Sequence, residues 1–191
     1  MYTHVHYIII NYMIIDDFLS DEQKNIFDKF KNRIPFRIVE FANALGINIF
    51  LDDLPENISG KIEKDNDQNF TIYLNNKHSS TRHIFTIAHE LGHYFRHQKY
   101  FETNNSIEEP LYNTFQKDRK QYSEEEVTRE REANEFAAEL LMPEITVKEK
   151  WNKFDYSISK MAHYFNVSEI AMAFRVKNII GSDYTNEYLI V

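Results

Sequence analysis

Two imidazoles and a carboxylate stand at a spacing that can do chemistry: His89-Glu90-Leu91-Gly92-His93, the pattern H-E-x-x-H. The apolar run Ile84-Phe85-Thr86-Ile87-Ala88 precedes them and Tyr94-Phe95 follows, so the segment reads as a buried helix. On a helix, residues i and i+4 share one face, about 40° apart and one turn along. His89 and His93 therefore point the same way and can grip one metal ion. Glu90 lies about 100° round from His89 and can reach a water on that metal without binding the ion itself. Two imidazoles, an open coordination position and a carboxylate base are what a zinc hydrolase needs.

With 8 His in 191 residues, chance produces H-E-x-x-H on the order of a few times per hundred such chains, so context has to decide. Ile84, Phe85, Ala88, Leu91 and Phe95 make this a core helix rather than a solvated one. Gly92 inside a helix costs about 1 kcal/mol against Ala, which points to close packing on a neighbouring element. A hydrolytic zinc site wants a third protein ligand. His97 extends the i, i+4 ladder, but three ligands along about 12 Å of straight helix cannot converge on one ion. His97 reads instead as a helix C-terminal residue, favoured there by the helix dipole. The next source is the carboxylate-rich run from Glu130 to Met142. There Ala133, Phe136, Ala137, Leu140 and Leu141 form an apolar face at helical spacing and Pro143 stops the helix. A second helix packed on the first could deliver one carboxylate.

These two runs together, Phe85-Thr86-Ile87-Ala88-His89-Glu90-Leu91-Gly92-His93-Tyr94 and Glu130-x-x-Ala133-Asn134-x-Phe136-Ala137-Ala138-x-Leu140-Leu141-Met142-Pro143, resemble the ImmA/IrrE family of zinc metallopeptidases. Val39 to Ile47 is similar to that family's N-terminal helix running into its first strand. Ile58-Ser59-Gly60-Lys61-Ile62 is similar to its next strand, and Val167-Ser168-x-x-Ala171-Met172-x-x-Arg175 to its C-terminal helices. The resemblance covers roughly residues 35 to 181. It implies a gluzincin-like site with His89, His93 and a Glu holding one Zn2+ per chain and Glu90 as base. It also implies a protein substrate, since members of the family typically cleave transcriptional repressors, often of mobile elements or stress operons. Some members are read as regulators with no demonstrated hydrolysis. Gluzincin-type sites usually set an edge strand beside the metal helix. That makes Gly60, Lys61 and Ile62 the expected substrate-binding segment, taking an extended peptide as an added strand.

Which glutamate completes the site is a question of helix rotation. Glu130 and Glu132 point about 200° apart. Position 130 shares a stripe with the small residues Ala133, Asn134 and Ala137, which would let its helix press close to the histidines, and the family's E-x-x-A spacing lands on it too. Glu130 is the expected ligand, and Glu132, near Phe136 and Glu139 and flanked by Arg131, takes a more peripheral place or one directly behind the ligands. The donor for a developing oxyanion stays open among Tyr94, Tyr112, Tyr122 and His163; Asn134, Tyr94 and Tyr122 are the candidates for that role or for contact with the ligands.

The elements that must position these groups follow from local signals. Ser20-Asp21-Glu22 starts a helix, Asn32 to Pro35 breaks it, and Phe36 to Leu45 is a second helix stopped by Gly46. Ile47 to Leu51, Ile58 to Lys64 and Phe70 to Leu74 read as strands, the last two joined by the turn-rich Asp65 to Asn69. Ser79-Ser80-Thr81 can cap the metal helix. Glu102 to Val127 is long and polar, and reads as a solvated insertion or a lid beside the cleft. The expected class is α+β: a small mixed or antiparallel three-stranded sheet on a helical core, with a helical C-terminal part. Residues 1–19 read as an apolar extension, 20–143 as the metallopeptidase core and 144–191 as a helical subdomain. Within the last, Ile158 to Phe174 is patterned like a helix-turn-helix. Its Lys160, Arg175 and Lys177 are too few and too interleaved with apolar residues for a DNA-reading face, so a structural pair is favoured.

Composition sets outer bounds. A hydrophobic share of 42% with 15% aromatics is ample for a core. The absence of Cys excludes disulfides and thiolate ligands and favours a cytoplasmic setting. A net charge of -8 disfavours nucleic-acid binding by the surface at large. Val5 to Ile15 is apolar but lacks a basic leader and a cleavage site, and is shorter than the ~20 residues a membrane span requires. The sequence thus points to a zinc endopeptidase acting on a protein partner, a repressor or antitoxin-like regulator. The alternative is a metal-stabilised protein that sequesters its partner without cutting it, although a pure binder has no need of Glu90.

Overall fold

Serine opens most of the helices. Ser20, Ser79, Ser123, Ser157 and Ser168 are N-caps whose side chains accept a backbone N–H three residues on, each satisfying one orphan donor of the first turn. At Ser20 and Ser123 the box is completed by Gln23 and Glu126, which reach back to the cap backbone. The computed structural model describes residues 15–110 and 122–181. Seven α-helices fall within them: α1 Asp21–Phe27, α2 Ile38–Ala44, α3 Ser80–Arg96, α4 Glu124–Leu141, α5 Glu144–Lys153, α6 Ile158–Phe165 and α7 Glu169–Ile180. The apolar segment up to Ile14 and residues 111–121, Tyr112 included, lie outside the described residues.

Four strands form one mixed sheet: β1 Asn48–Asp52, β2 Ile58–Lys64, β3 Phe70–Asn75 and β4 Ser106–Pro110, in the order β1-β3-β2-β4. β1 runs parallel to β3, while β2 is antiparallel to both β3 and β4. The β2–β3 hairpin turns on Asp65, whose Oδ1 accepts from the backbone N–H of Asp67 and Asn69 at 2.8 and 2.9 Å, the side-chain-to-backbone turn favoured by Asp. The register sets Ile62 opposite Ile72 on one side and Ile107 on the other. All three are buried, so one face of the sheet is apolar and packs on α3.

The fold class is the expected α+β arrangement with a helical C-terminal part, and two expectations about the sheet need correction. Among the described residues it has four strands, not three. β4 comes from the stretch read as an insertion, because Ser106-Ile107-Glu108-Glu109-Pro110 is short, acidic and without clean alternation. β2 is also not an edge. Gly60, Lys61 and Ile62 pair with Leu74, Tyr73 and Ile72 on one side and with Glu109, Glu108 and Ile107 on the other. Their backbone is already spent in the sheet and cannot take an added peptide strand.

The core continues past the sheet into the helices. Phe27 of α1, Phe36, and Phe41 of α2 meet ring to ring, and Phe41 stacks on Phe95 of α3, which in turn touches Phe136 of α4. Val147, Trp151, Met161, Phe165, Met172 and Val176 carry the same buried cluster into α5–α7. α6 ends on Asn166 in the left-handed conformation at φ 55°, a conformation Asn tolerates. No helix among the described residues is long and apolar enough to cross a membrane.

Candidate metal centre

α3 and α4 pack face to face, and small residues set how close they come. A methyl group placed on Gly92 would stand 2.9 Å from the Cα and 3.0 Å from the carbonyl oxygen of Ala133. The bare Cα of Gly92 therefore lets the backbones approach where any side chain would hold them apart. One turn before Ala133 on α4 is Glu130, and the approach carries its carboxylate to the histidine face of α3. Glu130 Oε2 lies 3.3 Å from His89 Nε2 and Glu130 Oε1 lies 3.3 Å from His93 Nε2, while the two Nε2 atoms are 3.0 Å apart. His89 and His93 are fully buried and the Glu130 side chain is 12% exposed.

This triangle fits a metal ion. Ligand atoms about 2.0 Å from a tetrahedral zinc are separated by about 3.3 Å, close to the spacing of these donors. The hydrogen-bond pattern supports the same reading. His89 Nδ1–H donates to Asn134 Oδ1 at 3.1 Å, which turns His89 Nε2 toward the triangle. Burial pushes the His93 imidazole down to about 4; Glu130 pulls it up, and the neighbouring His89 presses it down again. His93 is therefore neutral near pH 7, the form in which an imidazole binds a metal. Burial pushes the Glu130 carboxyl up, but its contacts with His89 and His93 outweigh that and hold it well below the usual carboxylate range. Two imidazoles and one carboxylate, buried and convergent, could hold a divalent ion.

Glu90 follows His89 on α3 and is fully buried. Its carboxylate is turned toward the sheet: a methyl group on Gly60 of β2 would stand 3.7 Å from Glu90 Oε1 and would collide with the Thr86 methyl. At Gly60, β2 thus packs directly on α3 beside the H-E-x-x-H turn. The other residues of that segment go elsewhere. Lys61 lies over the Tyr73 ring and pairs with Glu63 at 2.7 Å, and Ile62 is buried in the core.

The remaining candidates separate. Asn134 is brought to His89. Tyr94 is not brought to the triangle; its hydroxyl accepts from Gln23 on α1 at 3.0 Å and its ring stands edge-on to Phe70. Tyr122 directly precedes the Ser123 cap of α4, about 12 Å along the helix axis from Glu130. His163 is exposed on α6. Sequence reasoning missed what His97 does. As expected it ends α3, where it is the C-cap, but its side chain turns inward to His93 and Glu132. The i, i+4 step from His93 to His97 was the available signal.

Comparison with known proteins agrees with this geometry. No curated protein matches the sequence. Among solved structures, a Mycobacterium tuberculosis transcriptional regulator is similar at a TM-score of 0.51 and 20% identity, over 73% of this chain and 40% of that one. At that identity the likeness is one of fold, and the chain spans less than half the length of that relative. The profile of the IrrE N-terminal-like domain, Peptidase M78, matches residues 42–177, a span that contains the strand at Gly60, the H-E-x-x-H helix and Glu130. By that match over most of its length, the chain belongs to the IrrE N-terminal-like, peptidase M78, family.

Proposed function

We propose that the chain is a cytoplasmic zinc-dependent endopeptidase that cuts a protein partner, a transcriptional repressor or antitoxin-like regulator. One observation carries the proposal: His89 Nε2 and His93 Nε2 are 3.0 Å apart and each lies 3.3 Å from one oxygen of Glu130, with Glu90 buried on the helix of the two histidines. The donor set suits zinc, since the ligands are imidazole and carboxylate and the chain has no Cys. Bound there, zinc would polarise the scissile carbonyl and lower the pKa of an attacking water. Glu90 takes the proton from that water and passes it to the leaving amine. His89, His93 and Glu130 hold the geometry, and Asn134 orients His89. An extended peptide has β4 as the nearer edge, because β4 is the outer neighbour of β2 at Gly60.

The competing reading is a metal-stabilised regulator that sequesters its partner. It draws support from the name of the fold neighbour, a transcriptional regulator. One experiment separates the two. Purified protein with zinc is incubated with the product of the adjacent gene, and fragments are sought by mass spectrometry. Fragments that vanish with Glu90→Gln support hydrolysis. A stable complex with no fragments, equally tight with Glu90→Gln, overturns it in favour of sequestration.

A further inference from the structure

His93 Nδ1 and His97 Nδ1 face each other at 3.0 Å, and His97 Nε2 lies 3.1 Å from Glu132 Oε2. Glu132 Oε1 is 3.4 Å from Arg96 Nη2, and Arg96 Nη1 donates to the Glu132 carbonyl at 3.2 Å. The chain Arg96–Glu132–His97–His93 thus starts at a half-buried ion pair and ends on the back of a metal-facing imidazole.

We propose that Glu132 and His97 are positioning residues that fix the proton of His93 on Nδ1, so that Nε2 presents its lone pair to the metal. The argument runs along the hydrogen bonds and rests on the metal reading of the site. A carboxylate can only accept, so the His97 nitrogen facing Glu132 must carry its proton. A neutral imidazole has one N–H, which leaves His97 Nδ1 bare and able only to accept. His97 Nδ1, bare and 3.0 Å from His93 Nδ1, is hydrogen-bonded there only if His93 donates from Nδ1. Its Nε2 is then unprotonated and directed at His89 and Glu130. His97 is 8% exposed, so water competes weakly for these bonds. The geometry also explains why a third histidine stands at the i+4 step. Too far along the helix to join the ion, it is at the right distance to grip the histidine that does. His89 receives the same setting from the neutral Asn134 amide, so the two ligands are oriented by different means.

Partners of this kind are worth on the order of 10- to 100-fold in metal affinity. The test measures zinc affinity of the full chain by chelator competition, with zinc alone as the probe. His97→Phe and Glu132→Ala are expected to weaken binding on the order of 10- to 100-fold. His97→Asn keeps an acceptor near the Nδ1 position and is expected to recover most of the loss, which a packing role would not predict. The second readout is imidazole 15N NMR of the metal-stripped wild type, where His93 is expected to be neutral with its proton on Nδ1. Undiminished affinity in both His97→Phe and Glu132→Ala overturns the relay and leaves the metal reading standing. Should those variants fail to fold, a His93 protonated on Nε2 in the wild type overturns it instead. A wild-type chain that takes up no zinc overturns the metal reading itself.

Discussion

Three glutamates surround the same pair of helices, and their neighbours give them different tasks. Glu130 meets two imidazoles, Glu132 meets an imidazole and a guanidinium, and Glu90 lies against the Cα of Gly60. Position by position, this sorts what substitution should do. On the proposed metal reading Glu130→Gln removes a ligand, and the variant is expected to retain no zinc after dialysis. Glu132→Gln keeps one zinc per chain at saturation with weakened affinity. Metal analysis of the two variants checks the assignment, and the reverse result would exchange their roles. On the proposed mechanism Glu90→Gln keeps the shape but loses the base. General acid–base groups contribute about 10²- to 10⁴-fold, so cleavage should fall at least 100-fold by that measure while zinc content and melting temperature hold. Undiminished cleavage would mean another group takes the proton. The H-E-x-x-H spacing was legible in the sequence because it is local to one helix. Glu130 was legible from its stripe of small neighbours. For Glu132 a place behind the ligands was one of two readings, but its partner His97 was not legible, because they meet across two helices and the apolar stripe alone does not fix that rotation.

At the level of elements, the decisive contact is the one between α3 and α4 at Gly92. The sequence indicated that this glycine serves close packing, and Ala133 is the partner. Gly92→Ala sets two effects against each other. Helix propensity gains about 1 kcal/mol, while overpacking in a fitted interior costs about 1 to 3 kcal/mol. The new methyl group meets backbone atoms that cannot swing away, so the cost should win by about 1 kcal/mol. The clearer signature is geometric. Pushing α4 outward moves Glu130 from the histidines, so zinc affinity should drop more than the urea midpoint suggests. Equal affinity in the variant would mean the helices tolerate a wider spacing. The sheet was less legible than the helices. β2 and β3 announce themselves by alternation and a turn between them, whereas β4 is five residues whose place is fixed only by pairing with β2. That missing strand is why β2 read as an edge: strand order is a long-range property, and one unseen neighbour changes which backbone is free.

Across the molecule, a nearly buried ion pair ties the last helix, α7, to α4, the helix that carries Glu130. Arg175 of α7 binds the carboxylate of Glu139 on α4 and donates to the Met142 carbonyl at 2.9 Å, and both side chains are close to a tenth exposed. Burial pushes the Glu139 carboxyl above its ordinary value of 4.5, with Arg175 pulling it back. Arg175→Met would leave that charge stranded at neutral pH, at a cost of about 3 kcal/mol. A carboxyl whose folded pKa is raised binds its proton more tightly in the folded state, so its protonation favours folding. The variant's deficit should therefore shrink as pH falls from 7 toward the raised pKa, and a deficit constant across that range would count against the pair. The metal centre joins distant parts of the chain as well, since His93 and Glu130 are separated by the turn at Tyr100, by β4 and by the residues that follow it. An ion gripped from both sides is a cross-link that the unfolded chain cannot reproduce. Ligands that bind only the folded state stabilise it by about 2.7 kcal/mol at one hundred times their dissociation constant. Melting temperature should climb with added zinc, fall with chelator, and respond little in Glu130→Gln; a flat response in the wild type would contradict the cross-link. Inside a cell the consequence is one of lifetime. A chain starved of its ion would open more often along the α3–α4 seam and be cleared sooner by housekeeping proteases, so its abundance would rise and fall with the supply of the metal.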